Sequence, residues 1–266
     1  MSASLFGARS YLIELLTPRQ DAPDFEADLV VFRDRFAKIR AHDGIVSIPD
    51  NPLGNLHFTA MEVLTFLELD LQPETLLIHL NTFHRKADLD MFLDQAIAQG
   101  VRHLLCVSGD GGPRLPKLAP EDLELPGTTV TSIELLNYIQ TRYPGRFICG
   151  VAFNQYEPAD HEMAKLARKL AAGARFIITQ PALEPNALLR DLERLNVPVF
   201  AGVWFSKRLD LLYKCLGVDM KTAAPVDYDP VRNFQHIAEW YPNYGRYCSV
   251  LGFKRDWSEI FGRQSQ

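Results

Sequence analysis

The sequence predicts a single α/β domain, a (β/α)8 TIM barrel over residues 1–266. Short apolar runs rich in Val, Ile, Leu and Phe alternate with longer segments of helical period, which is the pattern of parallel strands joined by crossover helices. The chain length of 266 residues is also typical of one such barrel, which takes about 250 residues.

Eight apolar runs have the length and composition of strands. Their positions are 11–16, 45–48, 76–80, 103–107, 147–153, 176–179, 197–204 and 247–253. The last of these runs is the least regular. An open doubly wound sheet would show the same periodicity, but eight alternations of strand and helix favour the closed barrel.

Glycine marks the end of two predicted helices. The helix over 87–99 stops before Gly100 and the helix over 160–172 stops before Gly173, since glycine readily adopts the left-handed conformation that terminates a helix. The segment 109–129 is rich in Pro and Gly and reads as a long loop. Loops of this length inside a compact domain are usually functional or mobile.

The C-terminal segment 219–266 contains one further clear signal. Asp229 and Pro230 predict the N-cap and the first residue of a helix that continues over 231–240. We expect the aromatic side chains of this segment to pack the last helices rather than to bind a ligand.

Composition narrows the class of protein. The chain is 47% hydrophobic and carries 28 basic against 33 acidic residues, a net charge of −5. This balance gives no electrostatic reason to expect a nucleic-acid or membrane partner. The N-terminus lacks the pattern of a signal peptide, and no apolar run is long enough to span a membrane, so we expect a cytoplasmic protein. Barrel enzymes often associate through their outer helices, which would allow a homo-oligomer.

The four cysteines are expected to be buried thiols. Cys106, Cys149, Cys215 and Cys248 form no CxxC pair, and three of them lie inside predicted strands. Neither a disulfide nor a metal site is predicted. The acidic cluster around His161 begins a helix, where carboxylates favour the helix dipole, so we do not interpret it as a metal site.

In a barrel of this kind, catalytic groups lie at the carboxyl ends of the strands. Polar or aromatic residues occur at these ends throughout the sequence: Glu14, Ser47, Asp50, His79, Asn81, Thr82, Gly109, Asp110, Asn154, Gln155, Thr179, Gln180, Trp204 and Phe205. The predicted mouth is therefore polar, as an active site requires.

Glu14 is the most informative residue of this set. A carboxylate flanked by Ile13 and Leu15 loses its hydration if it faces the barrel interior, and that loss raises its pKa toward the range useful for proton donation. A buried structural ion pair, or an orientation between the helices, is the alternative.

Asp110 and Gln180 are the other two candidates for ligand contact. Asp110 follows a strand and adjoins Gly109, whose lack of a side chain lets the backbone approach a ligand, although Asp-Gly is also a common turn. The amide of Gln180 can bond the edge of a heterocycle or cap a neighbouring helix. A histidine in an apolar run, such as His79, is more often a core residue than a ligand contact. Cations near a helix end, such as Arg168 and Lys169, are more often solvated than bound to a phosphate.

Taken together, these segments resemble the methylenetetrahydrofolate reductase family. That family carries a glutamate in the first strand, an H-L-x-C segment in the third, L-R-G-D after the fourth and A-G-A-x-x-x-I-T-Q at the sixth. The counterparts here are LIELL at 12–16, HLNT at 79–82, VSGD at 107–110 and AGARFIITQ at 172–180, in the same order. The resemblance covers about residues 10–205.

The resemblance implies a reductase that converts 5,10-methylenetetrahydrofolate to 5-methyltetrahydrofolate with NAD(P)H. Glu14 would be the general acid that opens the imidazolidine ring, and Asp110 would bind the pterin and tune the electron donor. Gln180, with Phe205, would contact the folate substrate. FAD would be held by Ser47, His79 and Gly109, and by the basic pair Arg168 and Lys169.

Two departures from the family pattern concern the flavin. Ser108 replaces the arginine that precedes Gly-Asp, and the segment FNQYEP at 153–158 replaces Y-P-E-x-H-P-E. Losing a phosphate-facing arginine removes a charge-assisted hydrogen bond of about 1.5 to 3 kcal/mol. A flavin-free reductase, with the nicotinamide stacked near Phe153 or Trp204, is therefore the alternative to an FAD enzyme.

Two other classes fit parts of the sequence. A non-redox, folate- or pterin-dependent methyltransferase barrel would keep Asp110 and Gln180 without needing a hydride donor. A catalytically silent folate-binding barrel would also keep them, but it has little reason to bury an acid at position 14. Consumption of reduced nicotinamide separates the reductase from both.

Overall fold

The predicted barrel is confirmed. A computed structural model describes residues 10–217 and 227–261, and within them eight parallel strands close into a barrel in chain order, β1 pairing with both β2 and β8. The strands are β1 Tyr11–Glu14, β2 Ile45–Ile48, β3 Leu76–Leu80, β4 His103–Cys106, β5 Ile148–Phe153, β6 Phe176–Pro181, β7 Val199–Trp204 and β8 Gly245–Ser249.

Helices alternate with the strands and surround them. In the described part of the chain they are α1 Phe25–Ala41, α2 Ala60–Phe66, α3 Lys86–Ala98, α4 Ser132–Arg142, α5 Ala159–Ala171, α6 Ala187–Asp191, α7 Leu209–Leu216, α8 Pro230–Trp240 and α9 Ser258–Phe261. None of these helices is long and apolar enough to cross a membrane.

The predicted helix ends agree with the structure. Gly100 and Gly173, which follow the C-caps of α3 and α5, have φ angles of +76° and +104°. Asp229 caps α8 by accepting a hydrogen bond from the backbone N–H of Val231 at 2.9 Å. Local turn chemistry therefore fixed these boundaries to within about one residue.

The eighth strand lies earlier than predicted. It spans Gly245–Ser249, whereas the apolar run suggested 247–253. Val250 adopts a left-handed conformation with φ +60°, which ends the strand and turns the chain along the barrel mouth. The prediction for this segment was wrong because an apolar run does not reveal a backbone turn inside it.

The barrel interior is filled by side chains from most of its strands, including Leu12, Ile45 and Leu105. Two glycines leave space for two large aromatic side chains of this interior. A Cβ at Gly150 would lie 2.1 Å from the Phe176 ring, and a Cβ at Gly245 would lie 2.3 Å from the Phe200 ring. The two aromatic rings meet edge to face, 6.1 Å apart, and fill the space.

A larger apolar core lies between the strands and the helix layer. Cys106, Cys149 and Cys248 belong to it as buried free thiols, as the sequence indicated. The side chain of Cys215 lies outside the described part of the structure.

We predict that Gly150→Ala lowers the free energy of unfolding by about 3 kcal/mol, because the added methyl group collides with the ring of Phe176 in a filled interior. Urea denaturation measures the change. Gly252→Ala is the matched control, since no atom lies within 4 Å of a Cβ there. Equal losses in the two variants would contradict the tight packing of the barrel interior.

Candidate active site

A cavity of about 580 Å³ opens at the carboxyl ends of the strands. Its wall contains five of the predicted site residues, namely Glu14, His79, Gly109, Asp110 and Gln180, as well as the strand-end residues Asp50 and Trp204. The topology thus brings together residues that are separated by up to 190 positions in the sequence. This cavity is the candidate active site.

Glu14 is the last residue of β1 and faces this cavity. The pairing of Ile13 with Cys248 places Glu14 beside Ser249, at the end of β8. Burial raises the pKa of the Glu14 carboxyl to about 7, while hydrogen bonds from the Ser249 side chain and the Val250 backbone oppose that rise. The carboxyl forms no salt bridge with any residue described, so the ion-pair alternative does not apply.

His79 lies close to Ser47, which β2 contributes. The Ser47 hydroxyl is 2.9 Å from His79 Nε2, and the Tyr247 hydroxyl is 3.5 Å from the same atom. Burial lowers the pKa of His79 to about 4 despite the charge of Asp50, so the imidazole is neutral at physiological pH. Because the His79 ring is neutral, it adds no positive charge that would lower the pKa of Glu14.

Asp50, which follows β2, connects two loops at the mouth. Its carboxylate accepts hydrogen bonds from the backbone N–H of Asn81 at 2.9 Å and from His84 Nε2 at 2.7 Å. Burial disfavours the charged form of His84, but the charge and hydrogen bond of Asp50, together with the charge of Asp88, outweigh this effect and raise the pKa of His84. The sequence analysis did not single out His84, because nothing in its local sequence distinguishes it.

Gly109 sets the position of Asp110. Its φ angle is +76°, and a Cβ at this position would lie 2.6 Å from the Cβ of Asn81. Only glycine satisfies both constraints without strain. Asp110 follows directly, exposed at the cavity wall, where its carboxylate can contact a bound ligand.

Gln180 is held by its backbone, which leaves its side chain available. Gln155 accepts a hydrogen bond from the Gln180 N–H at 3.1 Å and donates one to the Gln180 carbonyl at 2.8 Å. Gln155, which the sequence placed among the strand-end candidates, thus clamps the ends of β5 and β6. The Gln180 side-chain amide lines the cavity.

Arg168 and Lys169 lie at a second cavity of about 620 Å³, between β4, β5, α4 and α5. Lys169 is buried and donates to the Ala152 carbonyl at 2.6 Å, while its ammonium lies 3.8 Å from Glu162. Arg168 is exposed. The two cavities share Val107 in their walls, so they adjoin at the end of β4.

Three predicted site residues line neither cavity: Ser47, Phe153 and Phe205. Ser47 is fully buried beside His79, so it is not placed to contact a cofactor there. Phe153 is fully buried in the core around the barrel, and Phe205 packs against Phe234 with ring centroids 5.8 Å apart. Neither ring contributes to a cavity wall among the described residues. Trp204, beside Phe205, does line the first cavity.

The sequence analysis missed the contribution of the chain's end. Residues 249–253 line the cavity, whereas the sequence analysis named no site residue in the C-terminal segment. Arg35 of α1 and Leu53, which follows β2, also lie in the wall. No motif marks these residues, since they come together only when β8 closes the barrel.

The fold and the site define a (β/α)8 barrel with a carboxylate-lined cavity at the carboxyl ends of its strands. Residues 7–210 match the family model described as methylenetetrahydrofolate reductase. The chain belongs to this family, which links it to folate metabolism. No curated protein matches the sequence.

Solved structures share the fold at low sequence identity. An uncharacterized protein from Clostridium thermocellum that binds two copies of 5-methyl-5,6,7,8-tetrahydrofolic acid is 11% identical, with a TM-score of 0.61 over 96% of this chain and 94% of that one. A putative phosphonomutase from Burkholderia cenocepacia J2315 is 13% identical, with a TM-score of 0.50 over 92% and 88%. At these identities the likeness concerns the fold.

We predict that Glu14→Gln stabilises the protein more at pH 8 than at pH 5, by about 2 kcal/mol. The folded state binds the Glu14 proton more tightly than the unfolded state, because the pKa rises from 4.5 to about 7. Stability is therefore lost as the pH rises through this window, and glutamine has no such loss.

Urea denaturation at the two pH values tests this expectation, with the exposed Glu239→Gln as the control. A Glu14→Gln gain that does not change with pH would show that Glu14 carries no raised pKa.

Proposed function

We propose that the protein reduces 5,10-methylenetetrahydrofolate to 5-methyltetrahydrofolate with NAD(P)H. The observation that carries the proposal is Glu14, a carboxyl whose pKa of about 7 suits proton donation, in one cavity with Asp110 and Gln180. Family membership supports the substrate class. The folate ligand of the Clostridium thermocellum structure is consistent with it.

The chemistry needs an acid that is protonated before reaction and anionic after it. Glu14 donates its proton to N10 of the substrate as the bond between N10 and the methylene carbon breaks. The cationic iminium at N5 then lies near a carboxylate, which stabilises it. Addition of hydride to the methylene carbon gives the methyl group, and Glu14 regains its proton from water.

The remaining residues bind and orient the substrate. Gln180 presents an amide that can both donate and accept hydrogen bonds at the pterin edge, and Asp110 accepts hydrogen bonds from pterin N–H groups. Neutral His79 is held by Ser47 and adds no positive charge next to the acid. A cation there would lower the pKa of Glu14 and weaken it as a proton donor.

The second cavity fits the phosphate end of a flavin dinucleotide. Lys165, Arg168 and Lys169 line it against two carboxylates, which leaves a net positive charge for a pyrophosphate. Its junction with the first cavity at Val107 would let one molecule occupy both. FAD held by these residues would carry the hydride from NAD(P)H; Ser108 in place of arginine weakens that hold.

We predict that added FAD binds to the purified protein and gives a visible absorption band. NAD(P)H should bleach this band and methylenetetrahydrofolate should restore it. Ser108→Arg should tighten FAD binding about tenfold, because it adds a charge-assisted hydrogen bond beside the second cavity.

If methylenetetrahydrofolate oxidised NAD(P)H without any flavin, the proposed reductase activity would stand and the proposed FAD site would be wrong. Absence of oxidation with and without FAD would overturn the reductase and favour non-redox one-carbon transfer.

We predict that Glu14→Gln lowers kcat at least about 100-fold while the Kd for 5-methyltetrahydrofolate changes less than about threefold, since its role is proton transfer. Asp110→Asn should weaken binding and lower kcat together. Steady-state kinetics and calorimetric titration measure the two quantities.

The exposed Glu239→Gln and Asp70→Asn are the matched controls and should behave as the unmodified protein. If Glu14→Gln lost binding and turnover in equal measure, its assignment as the acid would be wrong.

A further inference from the structure

The rim of the first cavity is apolar and open to solvent. Leu16, Leu53 and Val250 all line it, with 47%, 69% and 49% of their surfaces exposed. Exposed leucine and valine side chains gathered at one opening are typical of a surface that a ligand covers. They come from the loops after β1, β2 and β8 and therefore surround the mouth on one side.

Two of these residues are held in a strained backbone. Leu53 has φ +56° and Val250 has φ +60°, a region that leucine and especially β-branched valine avoid. The loop of Leu53 is fixed by its neighbour, since a Cβ at Gly54 would lie 2.3 Å from the Gly111 carbonyl oxygen. Strain of this kind persists where surrounding contacts enforce it, and it is concentrated at ligand sites.

Arg35 gives the cavity a cationic outer end. It belongs to α1, in the helix layer outside the strands, and its guanidinium lies 5.0 Å from the centre of the Phe253 ring. Lys38 fixes this contact by donating to the Phe253 carbonyl at 2.7 Å. Arg35 forms no ion pair with the residues that the structure describes. The cavity therefore extends from the barrel mouth to the helix layer.

Charge changes sign along this cavity. The strand ends contribute the carboxyl groups of Glu14, Asp50 and Asp110, whereas Arg35 is the cation at the helix layer. The matching ligand has a polar head that becomes cationic, an apolar middle and an anionic tail. Folates have this order: a pterin, a p-aminobenzoyl ring and a glutamate.

We propose that the apolar rim of Leu16, Leu53 and Val250 packs against the p-aminobenzoyl ring, and that Arg35 binds a carboxylate of the glutamate tail. This inference rests on the proposed folate specificity. The rim and Arg35 contribute to ligand binding and not to the reaction itself. Substitutions at these residues therefore weaken binding and leave kcat unchanged.

Arg35→Gln tests the tail contact with two ligands that differ only in the tail. Calorimetric titration should show about fivefold to tenfold weaker binding of 5-methyltetrahydrofolate and unchanged binding of 5-methyltetrahydropteroate, which lacks the glutamate. Arg33→Gln, on the same helix but outside the cavity wall, is the control and should leave both affinities unchanged.

Leu53→Asn tests the contribution of the rim to ligand binding without lowering the stability of the fold. Asparagine tolerates the left-handed conformation better than leucine, so stability should be equal or higher, while both ligands bind about threefold to tenfold more weakly. Met91→Gln, which changes an exposed apolar residue away from this cavity, is the control.

The outcomes separate this inference from the proposed function. If the unmodified protein binds neither ligand, both are overturned. If it binds both ligands and Arg35→Gln weakens both equally or neither, the tail contact is overturned and the reductase stands. An unchanged affinity in Leu53→Asn would overturn the role of the rim.

Discussion

The buried carboxylate of Asp50 is the constraint on which the mouth of the barrel depends. A carboxylate removed from water must be compensated, and here the backbone N–H of Asn81 and the imidazole of His84 do so. Asn81 in turn packs against Gly109, which places Asp110. Asp50 thus joins the loops after β2 and β3 by hydrogen bonds, and the packing of Asn81 against Gly109 adds the loop after β4.

The carboxyl groups of Asp50 and Glu14 line the same cavity but differ in their surroundings. Asp50 is matched by His84, whose pKa it raises. Glu14 accepts hydrogen bonds from the Ser249 side chain and the Val250 backbone, but burial outweighs them and raises its pKa to about 7. Two carboxyl groups of one cavity therefore have different surroundings, because Asp50 accepts a hydrogen bond from His84 and Glu14 forms no salt bridge with any residue described.

The last strand has a double role. By pairing with β1 it closes the barrel, and by ending at Ser249 it supplies the hydrogen bonds that face Glu14. The left-handed turn at Val250 then carries the chain along α1, where Phe253 meets Arg35. Pairing of β8 with β1 therefore both closes the sheet and completes the cavity wall. The sequence of β8 alone predicts neither result.

The sequence by itself determined the barrel, the positions of its first seven strands and the helix ends at Gly100 and Gly173, because strand periodicity and turn chemistry are local properties. It also indicated which strand ends carry Glu14, Asp110 and Gln180, since parallel strands gather their carboxyl ends at one face.

Only the tertiary structure decided the rest. It placed Phe153 and Phe205 in the core, joined Asp50 to His84, and brought residues 249–253 and Arg35 to the cavity. Burial, close packing and contacts between distant loops arise only when the chain closes on itself. No local pattern encodes them, and the environment of each side chain was therefore beyond the reach of the sequence.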